Sequence, residues 1–398
     1  MTDLPQLILK KKEERRLKAG HMWVFSNEVD TKRSPITDFE PGQSIEVVDE
    51  KKRFIGYGYV NPKSLICARL VSRHRSHPLN RSLITHRIKV ALSLRESLFT
   101  NPHYRLLYGE ADGLPGLVVD RFDDVLVVQI TTAGMEVIRD EIIAALDKVL
   151  KPKTIILRND SPIRQLEGLS SYVETTLGNL PTLLTIKENN AEYRAPPLGG
   201  QKTGWFYDHR LNRQRATEYV RGKRVLDVFS YMGGWSIPAA MAGASEVICL
   251  DQSMAALEQL GENAQLNGVI DRVNGLHGDA FDVMKILREE SEKFDVIILD
   301  PPAFIPRKKD VAKGLEAYRR INQLAMQLLQ KDGTLISASC SYHLQREVLK
   351  STILKTARHL DRSIALLEQG HQGPDHPIHP AIAETDYLKS FIFRILPS

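Results

Sequence analysis

The chain has 398 residues, of which 42% are hydrophobic and 26% charged, with a formal net charge of +5. That length exceeds what one hydrophobic core usually supports, so two or three domains are expected, and the ordinary composition excludes a disordered or fibrous chain. No run approaches the ~20 apolar residues of a membrane helix, and the N-terminal MTDLPQLILKKKEERR lacks the apolar core of a signal peptide, which predicts a cytoplasmic protein without a membrane partner.

The first predicted element is a β-rich module over residues 1–74, with short strands and turns around one short helix. Ile45 and Val47, the polar turn from Asp49 to Lys52, and then Phe54, Ile55, Tyr57 and Tyr59 predict a β-hairpin. Lys10, Lys11, Lys12, Arg15, Arg16 and Lys18 form a basic stretch, from which Lys11, Arg15 and Arg16 are candidate phosphate contacts. Lys10/Glu14 and Glu14/Lys18 also have the spacing of i,i+4 pairs, so taken alone the stretch reads as a solvated helical face.

Residues 75–190 read as a central α+β domain. A helix is predicted over Leu83 to Leu98, strands in GLVVD and VLVVQI between turn signals at Asp112-Gly113 and Phe122 to Asp124, a helix over Val137 to Leu150, a strand over Thr154 to Arg158, and a hairpin turning at Asn189-Asn190. It carries no catalytic constellation, which leaves a spacer or a second substrate-binding surface.

From residue 191 to 398 the pattern becomes α/β. Strands are predicted at 223–229, 246–251, 272–276, 294–300 and 333–338, and helices at about 235–243, 253–267, 280–290 and 315–330. Such alternation predicts a parallel sheet covered on both faces, with ligands beyond the carboxyl ends of the strands.

The residues at those ends are therefore the candidates. The first strand runs into Asp227-Val-Phe229-Ser230-Tyr-Met-Gly233, which is neither a P-loop nor a G-x-G-x-x-G turn. The second ends in Asp251, placed where a carboxylate can accept ribose hydroxyls. The third is followed by Gly278-Asp279, and the fourth by Asp300-Pro301-Pro302-Ala303-Phe304. Each acid alone could be a helix N-cap, but acids at four consecutive strand ends single out a ligand site.

Cys340 follows the fifth strand, in SASCSYHL (337–344). Cysteine is among the most buried residue types, so alone it reads as packing, yet a thiol between serines at a strand end is not in the apolar setting that keeps structural cysteines inert. Cys67 and Cys249 are remote from it, and the three give neither a C-x-x-C pair nor a disulfide framework. His371, Asp375, His376 and His379 lie in a Gly/Pro-rich loop without a standard zinc pattern, so no metal is expected. No G-x-S-x-G elbow occurs.

This order of motifs resembles the class I S-adenosylmethionine-dependent methyltransferases, which implies a Rossmann-like C-terminal domain with S-adenosyl-L-methionine as cofactor. The resemblance assigns Asp227, Phe229, Ser230 and Gly233 to the methionine part, Asp251 to the ribose, Asp279 to the adenine, and Asp300, Pro301 and Pro302 to the substrate base. Gln201-Lys-Thr-Gly-Trp-Phe-Tyr-Asp-His-Arg210 resembles the Q-K-T-G-x-F-x-D-x-R signature of the bacterial 23S ribosomal RNA cytosine-5 methyltransferases, which adds Phe206, Asp208 and Arg210 as cofactor contacts. That family also has D-P-P-x-F, S-C-S, and an N-terminal PUA module with G-H-x-W-V-F, matched by Gly20 to Phe25. Ala303 departs from it, since members often have lysine there.

The resemblance implies a ribosomal RNA partner in single-stranded or loop form and leaves pairing of the protein with itself open. Carbon 5 of cytosine is a weak nucleophile, and a thiolate adding to carbon 6 makes it enamine-like, so Cys340 is the expected nucleophile and Asp300, if it holds a proton, the expected acid at the ring nitrogen. Phe304, Trp205 or Phe206 could stack on the base or adenine. Two alternatives stand beside this: methylation of an exocyclic amine, with Cys340 as packing, and a non-catalytic RNA-binding protein.

Overall fold

The computed structural model describes residues 4–198 and 203–398, so Gln201 and Lys202 of the Q-K-T-G stretch lie outside the described residues. The chain forms two compact units: Met1–Leu184 with Pro196–Tyr207 and Pro374–Thr385, and Thr185–Ala195 with Asp208–Gly373 and Asp386–Ser398.

The first unit opens with strand β1 (Gln6–Ile8), helix α1 (Glu14–Lys18), and strands β2 (Trp23–Val24), β3 (Ser44–Val48), β4 (Phe54–Val60) and β5 (Ala68–Ser72), in a sheet of order β1-β3-β4-β5-β2. The predicted hairpin is β3–β4, antiparallel with Ser44 opposite Tyr59 and Glu46 opposite Tyr57. Its turn is closed by Asp49, whose Oδ1 accepts from the amides of Lys51 and Arg53 at 2.9 Å each, a local bond that favours the turn over continued strand.

Arg16, one of the three candidate phosphate contacts, is engaged within the protein. Its guanidinium donates to both carboxylate oxygens of Glu28 (2.6 and 2.8 Å) and to the Trp23 carbonyl at 3.0 Å, and lies 2.6 Å from His21 Nδ1. Glu28 also accepts from the Phe25 amide at 2.8 Å. The G-H-x-W-V-F stretch thus closes a hydrogen-bonded knot around Arg16, while Lys11 and Arg15 stand exposed. Arg16→Ala is expected to lower the unit's unfolding free energy by about 2 kcal/mol, because it strands a nearly buried carboxylate. Lys11→Ala with Arg15→Ala leaves the denaturation midpoint within about 0.5 kcal/mol of wild type. Equal midpoints for the two variants in urea denaturation would contradict this assignment.

The same unit continues with α2 (Arg81–Leu98), β6 (His103–Tyr108), β7 (Leu117–Phe122), β8 (Val125–Ile130), α3 (Ala133–Val137), α4 (Arg139–Leu150), β9 (Thr154–Asn159), α5 (Ile163–Leu166) and β10 (Tyr172–Leu177), with sheet order β10-β9-β8-β7-β6. Asn80 caps α2 by accepting from the Leu83 amide at 3.0 Å, so the helix starts two residues before its first apolar position. Strand β6 was not expected, because HYRLLY has no period-two alternation and is buried at all but its last position. Asp375 and His376, from the histidine-bearing loop, are buried in this unit: Asp375 Oδ2 accepts from the Arg105 amide at 3.0 Å, and its carbonyl accepts from Arg95 at 2.9 Å.

The second unit begins with the hairpin β11 (Leu184–Glu188) and β12 (Ala191–Ala195), whose Asn189 and Asn190 adopt the left-handed φ of 53° and 64° that asparagine tolerates. There follow α6 (Arg210–Ala216), β13 (Arg224–Val228), α7 (Ser236–Met241), β14 (Glu246–Asp251), α8 (Met254–Leu266), β15 (Val273–His277), α9 (Ala280–Glu289), β16 (Phe294–Leu299), α10 (Val311–Leu328), β17 (Leu329–Ser339), α11 (Arg346–His359), β18 (Arg362–Gly370) and β19 (Lys389–Pro397). They build a seven-stranded sheet of order β15-β14-β13-β16-β17-β19-β18. Strands β13 to β17 are parallel, and order reverses at β13, between β14 and β16. The sequence reading found these five strands. It missed α11 and the antiparallel pair β18–β19, which extends the sheet beyond β17. Among the described residues no helix is long and apolar enough to cross a membrane.

Candidate active site

Parallel strands end at one edge of a sheet, so β13, β14, β15, β16 and β17 deliver Asp227, Asp251, Asp279, Asp300 and Cys340 to the same edge. The loop after β13 is bent sharply: Phe229, Tyr231 and Gly233 have φ of 67°, 50° and 91°. Left-handed backbone at two bulky residues is costly and persists where surroundings over-determine it. Here the amides of Phe229 and Ser230 both donate to the Leu250 carbonyl (2.8 and 3.1 Å), and the Tyr231 amide donates to Asp251 Oδ2 at 2.9 Å. At Gly233 a Cβ would sit 2.9 Å from Ile237, so a side chain there would push into α7.

The four acids are not equivalent. Asp227 is fully buried; one carboxylate oxygen accepts from Ser236 and the other, Oδ1, has no partner, as is also true of the buried Ser230 hydroxyl. Burial pushes the Asp227 carboxyl up to about 7, with the Ser236 hydrogen bond opposing. Asp251 accepts from the amides of Tyr231 and Ser253, both at 2.9 Å, which ties the first loop to the second strand end. Asp279 is an exposed N-cap of α9, its Oδ1 accepting from Phe281 and Asp282 at 2.9 and 3.2 Å.

The surroundings of Asp300 favour its ionised form, whereas the acid role set out above requires a proton. Burial alone would push its carboxyl up, but His209 Nε2 at 3.1 Å from Oδ1, the Trp235 indole donating to Oδ2 at 2.9 Å, and the Arg213 charge together hold it below the usual carboxylate range. Trp235 and His209 escaped the sequence reading; the position of Trp235 beside the two glycines of the first loop was the available signal.

The S-C-S stretch is organised by its serines. Ser339 and Ser341 are buried and both meet the Tyr318 hydroxyl (2.7 and 3.0 Å), and Ser341 Oγ also accepts from the Ile305 amide at 3.2 Å. That bond joins the loop after β17 to the D-P-P-A-F loop, whose own strand β16 pairs with β17 through Leu299 opposite Ser337. Cys340 between them is half-buried, whereas Cys67 and Cys249 are fully buried, with burial pushing the Cys67 thiol up to about 12 and that of Cys249 higher still.

The remaining candidates fall mostly on protein partners. Asp208 accepts from the Tyr387 hydroxyl at 2.6 Å, and Arg210 Nε lies 3.5 Å from Glu188, which also pairs with Arg213 at 2.8 Å. Phe304 packs on Tyr318, Phe281 and Phe229 with centroids 5.0, 6.1 and 6.2 Å away. Pro301 is buried and Pro302 exposed. Phe206 and Trp205 belong to the first unit, where Trp205 is buried.

Known proteins resemble this chain in sequence and fold. Residues 7–73 fit the PUA-like domain family, and residues 170–394, more than half of the chain, fit the S-adenosylmethionine-dependent methyltransferase family. Ribosomal RNA large subunit methyltransferase I of Erwinia tasmaniensis is 35% identical, over 98% of this chain and 99% of that protein. The protein of the same name from Klebsiella pneumoniae strain 342 is 34% identical over 100% of both chains. Among solved structures, a SAM-dependent methyltransferase from Streptococcus mutans superposes with a TM-score of 0.82 at 21% identity, over 98% of this chain and 100% of that one. A methyltransferase in complex with SAH gives 0.84 at 22%, with the same coverage.

Proposed function

We propose, since this chain belongs to the S-adenosylmethionine-dependent methyltransferase family and carries a PUA-like domain ahead of it, that it methylates carbon 5 of a cytosine in large-subunit ribosomal RNA through a covalent adduct with Cys340. The relatives' names supply the RNA class. The observation that supports the base and position is the half-buried thiol at the strand-end edge, one strand over from Asp300 and flanked by serines whose hydroxyls are turned into the fold.

S-adenosylmethionine supplies, when bound, an electrophilic methyl group on a sulfonium. The residues present suit it. Asp227 Oδ1 and Ser230 Oγ, buried without partners, fit its amine, and Asp251 fits two ribose hydroxyls with the acceptor capacity left after its two amide bonds. On this reading the adenine falls to Asp279. Toward the RNA, Cys340 as thiolate adds to carbon 6 and breaks the ring's aromaticity, which places the displaced electron pair at carbon 5. After carbon 5 has been alkylated, loss of its proton re-forms the double bond and expels the thiolate. An ionised Asp300 accepts rather than donates, so it fits the exocyclic amino hydrogens of the cytosine and holds the base in register. The target must be unstacked for a thiol to stand over its ring, which selects single-stranded or loop RNA. With the ribosomal RNA of its bacterial relatives as the model for its substrate, the reading takes the cytoplasm as its place of action.

The ionised Asp300 also favours a second reading, methylation of an exocyclic amine, because an acceptor at that position suits either target. Labelled methyl transfer to unmodified large-subunit rRNA, with transfer RNA as comparison, tests the substrate class: label on transfer RNA alone would overturn it. In the same assay Asp300→Asn is expected to lower kcat/KM about 100-fold, the usual scale for removing one oriented polar contact. A carboxyl whose folded pKa is depressed contributes stability above its unfolded value of 3.8 and loses it only as pH falls below that. Asp300 therefore adds no acid limb to the rate profile between pH 5 and 8, and a limb lost on Asp300→Asn would contradict its ionised state.

A further inference from the structure

Lysine is seldom buried, and Lys389 at the start of β19 is only 4% exposed. Its ammonium donates to two backbone carbonyls, those of Ser341 and Tyr387, both at 2.8 Å. The β17–β19 register sets Lys389 opposite Ser339. Lys389 is therefore tied to both sides of Cys340, its backbone paired opposite Ser339 and its ammonium held on the carbonyl of Ser341. An ammonium has three donors, and the two carbonyls take two of them.

We infer that Lys389 is the positioning residue that activates Cys340: a buried cation, fixed by two carbonyls beside the thiol, which favours the thiolate and holds the S-C-S loop in place. This deepens the reading of Cys340 as nucleophile and rests on it. A thiolate is the competent nucleophile, and a nearby cation stabilises it most where water is excluded. The charged groups around the ammonium are Asp386 on the segment before β19, Arg346 on α11, and Cys340 itself. Burial brings the Lys389 ammonium down to about 8, with Arg346 acting the same way and Asp386 and Cys340 opposing. At neutral pH it remains mostly charged. Placing a bare ammonium under a loop costs stability, and a carbonyl cage without a charge requirement would be served as well by a neutral donor; the charge is what the thiol uses.

The test is the pH dependence of iodoacetamide alkylation of Cys340 in the full chain, followed by peptide mass spectrometry, with the fully buried Cys67 and Cys249 as internal controls. Wild type is expected to show a midpoint at least one pH unit under the ~8.5 of an unperturbed thiol. Lys389→Met moves it up by about one unit, a tenfold slower reaction at neutral pH, and Lys389→Arg, which keeps the charge, restores most of the difference. A wild-type midpoint at or above 8.5 overturns the inference without any variant, so a Lys389→Met protein that fails to fold does not shield it. An unchanged midpoint in folded Lys389→Met overturns it as well. Because alkylation needs no RNA, these outcomes are separate from the function: absence of 5-methylcytidine would remove the nucleophile reading while leaving the profile to judge the lysine.

Discussion

Cys340→Ala is expected to abolish methyl transfer while leaving cofactor binding intact. Removing the nucleophile of a covalent mechanism removes the pathway rather than one contact, and losses of roughly 10⁴-fold or more are the scale to expect. The side chain is small and half-buried, and hydrogen bonds of the neighbouring serines hold the loop to Tyr318 and Ile305, so the loop keeps these anchors in the variant. Calorimetric binding of S-adenosylhomocysteine should agree between wild type and variant within a factor of about two, well under one kcal/mol. A variant that keeps a tenth or more of its activity would make Cys340 a packing residue and hand the site to the amine reading.

The second large effect belongs to Asp227. A carboxyl raised from 3.8 to about 7 by burial keeps its proton in the folded state where the unfolded chain has released it. Its contribution to stability is full below pH 3.8 and is lost as pH rises through about 7. Three units correspond to about 4 kcal/mol in the fully buried limit, so the destabilisation is nearly complete at pH 8. Asp227→Asn removes the titration and keeps the shape. In the absence of cofactor the variant is expected to be more stable than wild type at pH 8, by up to about 4 kcal/mol, and to differ little at pH 4. It should also bind S-adenosylhomocysteine more weakly, by about 100-fold, because the neutral amide cannot pair with the amine. Urea denaturation at the two pH values checks the first statement and calorimetry the second. Identical stabilities at pH 8 would show that Asp227 is ionised without cost, and unchanged affinity would place the amine elsewhere.

The parts of the fold legible in the sequence were those with strong local signals. Five apolar strands alternating with helices announced the parallel sheet, and the position of each acid at or just past the end of a strand made the site visible in the sequence. Strands β18 and β19 were not read, since a strand added antiparallel to the far side of β17 is set by pairing rather than by local alternation. With them went Lys389, whose significance lies in the register that brings it opposite Ser339. Charge state was legible only in part. Burial was the expected force on Asp300, but His209 and Trp235 come from 91 and 65 residues upstream, and their combined effect reverses it; Asp227, expected as an ordinary cofactor contact, is the carboxyl that burial raises. In the first module the basic stretch read alone as a solvated face with three candidate phosphate contacts, and the ion pair of one of them, Arg16, with Glu28 was not legible in it.

The bond between Cys340 and carbon 6 of a cytosine is tested most directly by RNA in which the target cytosines carry fluorine at carbon 5. Fluorine cannot leave as a proton does, so the methylated adduct cannot release the thiolate and accumulates. Large-subunit rRNA transcribed with 5-fluorocytidine, incubated with enzyme and S-adenosylmethionine, is expected to yield a denaturant-resistant complex whose cross-linked peptide contains Cys340. A wild-type enzyme that transfers methyl groups to ordinary rRNA yet forms no such complex, or whose product is an N-methylated base, would contradict it.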